Sequence, residues 1–80
     1  MIKVQNNTYD SSTVQSSSYN YEHKTLTVHF SHASYIYYEV SVMDYVAFVN
    51  AKSQGQALNL YIKDNYRFEK INEVKKVENI

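Results

Sequence analysis

Few residues in this chain are of types that do covalent chemistry, and their spacing argues against it. His29 and His32 stand at the end of an alternating segment and in the turn after it. That spacing fixes no ligand geometry, and no carboxylate is placed to complete a site. They read as exposed polar residues, and no metal or cofactor is expected. The serines between Ser11 and Ser18 lack a Gly-x-Ser-x-Gly elbow and a His/Asp partner pattern. Cysteine is absent, which removes thiolate ligands, cysteine nucleophiles and disulfides. The expectation is therefore a protein that is not an enzyme.

Recognition chemistry remains. Tyr35, Tyr37 and Tyr38 form an aromatic cluster, and tyrosine offers a large contact area with a polar tip, suited to a protein partner or to base stacking. Neighbouring strand positions point to opposite faces, so the three cannot all be buried on one side. The element Ser53-x-Gly55-x-x-x-Asn59 has two readings. In the favoured one, Ser53 or Asn59 caps unpaired backbone groups at a junction between helices. In the other it is an anion or peptide site served by Lys52, Lys63 and Arg67. Gly55 itself is explained adequately as a helix breaker.

These residues must be positioned by a small frame. Eighty residues make one domain, and a chain this short buries only about 60% of its unfolded surface, leaving no room for a deep cavity. Nine tyrosines, one glycine and no proline are unusual. Eight basic residues balance eight acidic ones, so no global field attracts nucleic acid. The halves differ slightly: residues 1–51 are net acidic by two charges and residues 52–80 net basic by two. No apolar run nears the roughly 20 residues that span a bilayer, and the opening residues lack a signal-peptide core. A soluble, cytoplasmic protein without membrane contact is expected.

Periodicity supplies the elements. Met1 to Gln5 alternates enough for a short strand, and Ser12 to Tyr19 reads as a strand anchored by Val14. Leu26, Val28 and Phe30 alternate with Thr25, Thr27 and His29, the period of a half-buried strand. After a turn over Ser31 to Ser34, the aromatic and β-branched run Tyr35 to Val40 predicts a hairpin partner. Ser41 with Asp44 three residues later marks a helix N-terminus. Val42, Tyr45, Val46 and Val49 then fall at i, i+3, i+4 and i+7, predicting one buried helical face with Phe48 beside it. A second helix is expected over Leu58, Tyr61 and Ile62, ending near Asn65. Tyr66, Phe68 and Lys70 alternate as a final strand, and Tyr45, Tyr61 and Tyr66 are expected in the core.

At this level of detail the chain resembles the KTSC domain family. Ser11-Ser12, Val14 and Tyr19 match its opening, and Leu26, Val28 and Phe30 its next strand. Tyr35-Ile36-Tyr37 with Val40 matches its Tyr-x-Tyr-x-x-Val centre. Ala51, Ser53, Gly55 and Asn59, followed by Ile62, Tyr66 and Phe68, match its Ala-x-Ser-x-Gly-x-x-x-Asn signature and closing segment. Three positions depart from the pattern. Ala33 stands where the family tends to have glycine in a longer turn, Ser41 where it usually has proline, and Ala57 where an aromatic often follows. The shorter turn leaves two registers open, because a one-residue slip would exchange the faces of Ile36 and Tyr38 with those of Tyr35 and Tyr37. The resemblance implies a small bacterial or phage domain, also found at the C-terminus of some lysyl-tRNA synthetases. RNA binding is suggested by that association, and no catalytic activity comes with it.

Together these readings predict an α+β domain, with a three- or four-stranded antiparallel sheet and two short helices on one face. Residues 1–10 are expected as an arm or short strand, residues 11–71 as the KTSC-like domain, and residues 72–80 as a tail. The expected function is non-catalytic binding of another protein, for instance as a phage or mobile-element factor acting on a host complex. RNA or other nucleic-acid binding is the alternative. Tyr35, Tyr37, Tyr38, Lys52, Ser53, Gly55, Asn59, Lys63 and Arg67 are the candidate partner-binding residues. An unblocked edge strand would also permit a homodimer.

Overall fold

A computed structural model describes residues 3–71. The expected pairing of Ile2 and the tail with Val74 and Glu78 lie outside the described residues. Five strands form one antiparallel meander: β1 (Val4–Thr8), β2 (Val14–Asn20), β3 (Thr25–Phe30), β4 (Ser34–Tyr37) and β5 (Phe68–Ile71). Between β4 and β5 run α1 (Val42–Asn50) and α2 (Gln54–Ala57), the latter widening directly into a π-helical segment, Leu58–Lys63. The α+β class is as expected, with five strands where three or four were predicted. The added strand is β1, because the uncharged, polar segment from Val4 to Thr8 pairs along its whole length with β2.

Register follows the apolar alternation. Val28 pairs with Tyr35 and Leu26 with Tyr37, so Tyr35 and Tyr37 share the helix-facing side of the sheet, while Ile36 and Tyr38 take the other. The open question of register is thereby resolved. In β2 a bulge between Val14 and Ser16 breaks the period and turns both Val14 and Ser17 inward with Tyr19. Asn20 builds the next turn: its Oδ1 accepts from the N–H groups of Glu22 and His23 at 2.9 and 3.0 Å. Lys24 and Glu39 adopt left-handed backbone angles, φ 57° and 58°.

The core is a layer of tyrosines and aliphatics between sheet and helices. Tyr19 stacks on Tyr45, with ring centroids 4.1 Å apart and planes 9° off parallel. Tyr21 meets both rings edge-on. Their hydroxyls are satisfied in different ways. The Tyr19 O–H donates to the Val40 carbonyl at 2.6 Å. Tyr21 donates to Gln5 Oε1 at 2.6 Å, and Asn7 Nδ2 donates to the Tyr45 hydroxyl at 2.7 Å. β1 therefore supplies polar caps to a buried aromatic cluster, so this strand is part of the fold.

α1 begins as expected, with Ser41 Oγ accepting from the Asp44 N–H at 3.1 Å. Its buried face differs from the expected one. Tyr45 and Phe48 are buried, Val49 is half-buried, and Val42 and Val46 face solvent. Two aromatics remove more apolar area from water than two valines, so the helix rolls to bury Tyr45 and Phe48. Gly55 is also corrected. It does not break α1, which ends at Asn50, and no glycine here has positive φ. Gly55 lies within α2, and the second helix starts at Gln54, four residues before Leu58. Leu58 and Ile62 are buried as the spacing implied, whereas Tyr61 and Tyr66 are only half-buried.

Two outcomes follow. Phe48→Ala should cost about 3–5 kcal/mol, whereas Val46→Ala should stay within about 0.5 kcal/mol, read from denaturant midpoints in dilute solution. Burial raises the Tyr45 hydroxyl from 10.0 to about 12, and burial also raises Tyr9, Tyr19 and Tyr37. The unfolded chain thus gives up these protons first. Their contribution is complete below about pH 10 and is lost as pH climbs through the folded values. Tyr45→Phe should flatten the fall in stability between about pH 10 and 12, measured by urea unfolding.

Candidate functional site

The helical layer does not cover the whole inner face of the sheet. At the β5 end Phe68 pairs with Tyr37, and its ring remains 47% exposed. The uncovered strip forms a groove of about 350 Å³. Phe30, Tyr35, Tyr37 and Phe68 are its aromatic floor, and Gly55, Leu58, Asn59 and Lys63 come from the helical side, with Thr13 and His32 at one end. The rings pack as a chain: Phe30 to Tyr35 and Tyr35 to Phe68 are each 5.7 Å between centroids, and Phe68 lies 5.6 Å from Tyr37. Such packing holds the floor in place at little rotamer cost. Burial raises the Tyr37 hydroxyl pKa, with Tyr35 adding to the shift.

The π-helical segment sets the far wall. Along it Leu58 and Ile62, four residues apart, share the buried face, while Asn59 and Lys63 remain exposed at the groove. Asn65 Nδ2 donates to the Tyr61 carbonyl at 2.8 Å as the segment closes. The junction before it is capped internally. Ser53 Oγ accepts from the Gln56 N–H at 3.3 Å, and Gln54 Nε2 donates to the carbonyls of Ala51 and Val49 at 2.8 and 3.3 Å. Capping thus falls to Ser53 and Gln54. Sequence reading missed Gln54, since glutamine carries no strong capping signal.

Of the candidate residues, Tyr35, Tyr37, Gly55, Asn59 and Lys63 are brought together in this groove. Lys52 is exposed and Ser53 is a cap; neither lines it. Tyr38 and Arg67 belong to a separate hollow, with Glu39, Asn65 and Tyr66. There the Arg67 guanidinium sits 4.7 Å from the Tyr38 ring centroid, and the Tyr38 O–H donates to Glu69 Oε1 at 2.7 Å. That bond, ahead of burial and the Glu69 charge, raises the Tyr38 pKa. The candidate residues therefore fall into two places, because Tyr38 points away from Tyr35 and Tyr37. Phe30, Leu58 and Phe68 complete the groove without having been singled out as site residues. The alternation of Tyr35 and Tyr37 with Leu26 and Val28 was the available signal.

His29 and His32 share a polar hollow with Gln15, Ser16 and Ser34. His29 Nδ1 and Ser34 Oγ are 2.7 Å apart across paired strands. Ser34 is only 3% exposed, which suits a cross-strand tie rather than a nucleophile that a substrate must reach. Among the described residues no three His, Asp or Glu side chains are grouped to hold a metal ion. No helix among the described residues is long and apolar enough to cross a membrane.

With this geometry in hand, the comparisons place the chain. The KTSC domain family matches residues 10–66, and the chain belongs to that family. The crystal structure of a KTSC domain protein from Yersinia pestis is similar, with a TM-score of 0.80 and 26% identity over 86% of this chain and 99% of that one. No curated protein matches. β1 and the whole of the groove's Phe68 strand, β5, lie outside the residues the family matches.

Gly55 offers a direct test of this local reading. A Cβ there would meet Thr13 side-chain atoms at 3.6 Å, an ordinary contact. Gly55→Ala should therefore raise the thermal midpoint, by a helix-propensity gain of about 0.4–1 kcal/mol. A lowered midpoint would mean that the site needs glycine for some other reason.

Proposed function

We propose that this domain is a non-catalytic binding module whose groove takes an apolar side chain from another protein. The carrying observation is Phe68, an aromatic ring left about half in water on a floor of packed rings, beside Asn59 and Lys63. Apolar surface of this kind gains by being covered, and rigid aromatics lose little entropy on binding. Asn59 can pair with backbone groups of the incoming segment, and Lys63 favours a carboxylate or carbonyl beside the buried side chain. A small factor that acts by attaching to a larger host complex would need no more than this.

A single cation on the rim and a chain with no net charge support a protein partner over nucleic acid. Binding of RNA would instead use Tyr35 and Phe68 for base stacking and Lys63 for phosphate. To separate the two, the tagged domain and its Phe68→Ala and Lys63→Ala variants would be used to capture partners from host lysate. A protein partner, once identified, should bind Phe68→Ala about tenfold more weakly or worse, with modest salt dependence. Nuclease-sensitive capture that falls steeply with salt would replace this reading with the nucleic-acid one. Equal binding by folded Phe68→Ala would remove the groove from the interface.

A further inference from the structure

The two edges of the sheet are unlike. β5 carries Glu69 and Lys70, charges of the kind that discourage strand addition. β1 reads Val-Gln-Asn-Asn-Thr, with no charge, no proline and no bulge. Its hydrogen-bond pattern shows what is left open. The Tyr21 N–H donates to the Lys3 carbonyl and the Tyr9 N–H to the Gln15 carbonyl. Residues 3, 5, 7 and 9 therefore direct their backbone groups toward β2, and Val4, Asn6 and Thr8 direct theirs outward.

The helix above this edge carries a second unsatisfied feature. Val42 and Val46 are 41% and 43% exposed. They lie on the flank of α1 beyond Tyr45, whose hydroxyl meets Asn7 and Gln5 of β1. The opposite flank holds Asp44, which pairs with Tyr66. The exposed valines thus sit on the β1 side of the helix. This is the apolar spacing that the sequence marks for burial and that a single chain leaves in water.

We propose that β1 is a self-association edge, and that two copies pair antiparallel about Asn6 into a continuous ten-stranded sheet, with the Val42–Val46 flanks of both α1 helices turned toward the shared axis. The strand is self-complementary in this register. Asn6 faces Asn6 of the second copy, Val4 faces Thr8, and the three outward residues of each chain, each with one donor and one acceptor, make about six new hydrogen bonds. Lys3, which lies 3.7 Å from Glu22 of its own chain, is brought toward Asp10 of the other copy, so this pair across the seam attracts. Every group at the edge meets a matching group from an identical chain, as a two-fold interface requires. The proposal is independent of the groove, which lies at the far end of the sheet.

Sedimentation equilibrium of the intact chain over a concentration series, at moderate salt, tests it. A reversible monomer–dimer equilibrium is expected. Asn6→Pro removes an outward N–H and no bond to β2, so it should leave the circular dichroism spectrum unchanged and weaken dimerisation at least tenfold. Asn6→Lys is a second route to the same loss if proline disturbs folding, and Val46→Lys should also weaken the dimer. A chain that stays monomeric at about millimolar concentration overturns the proposal. So does a dimer that neither Asn6 variant weakens, since its interface would lie elsewhere.

Discussion

The hydroxyl of Tyr19 is the constraint on which the rest of the structure turns. Its side chain is fully buried, and a buried phenol without a partner costs about 1–3 kcal/mol. Here the Tyr19 O–H avoids this cost by donating to the Val40 carbonyl at 2.6 Å. That bond fixes the chain just where it leaves β4 and before Ser41 starts α1. The same ring then stacks on Tyr45, so one side chain ties the second strand, the strand-to-helix link and the helix together. With only three leucines in the chain, ring stacking takes over much of the filling that aliphatics usually provide.

Consequences run outward from that point. A fixed α1 presents Asp44 and Ser41 to the Tyr66 hydroxyl, which anchors the segment leading into β5. The tyrosine cluster also needs polar partners at its rim, and β1 provides them through Gln5 and Asn7. Polar strand residues are thus structural here, because the core they border is built from side chains with hydroxyl tips.

The groove arises from a mismatch between layers. Five strands are wider than α1 and the second helix that follows it, so the inner face of β4 and β5 is only partly covered. Tyr37 falls under the cover and is buried, Tyr35 lies at its margin, and Phe68 falls outside it. Groove floor and core are therefore one continuous aromatic layer, part dry and part open. An interface formed there would extend packing that already exists.

Much of this was legible in the residues. Strict alternation defined β3, the Ser41–Asp44 spacing placed the start of α1, and the order of motifs identified the family. These are local signals, since strand period, capping and motif spacing depend on neighbours in sequence. The strand β1 was open as an arm or a strand, because Val4 to Thr8 has one apolar residue and is stabilised by tyrosine hydroxyls up to forty positions away. The roll of α1 was misread for a similar reason: spacing marks an apolar stripe, but competition between Phe48 and the valines for the sheet selects the face that is buried. Gly55 was read as a breaker, yet its helix begins one residue earlier on the Ser53 cap. The division of Tyr35 and Tyr37 from Tyr38 required the register with β3, which the short turn leaves undetermined by itself. The sequence alone determined the segments that hold β2 to β5 and where the first helix begins, whereas β1 needed its tyrosine partners. Tertiary packing decided which side chains are dry, because burial depends on the partner that each face meets.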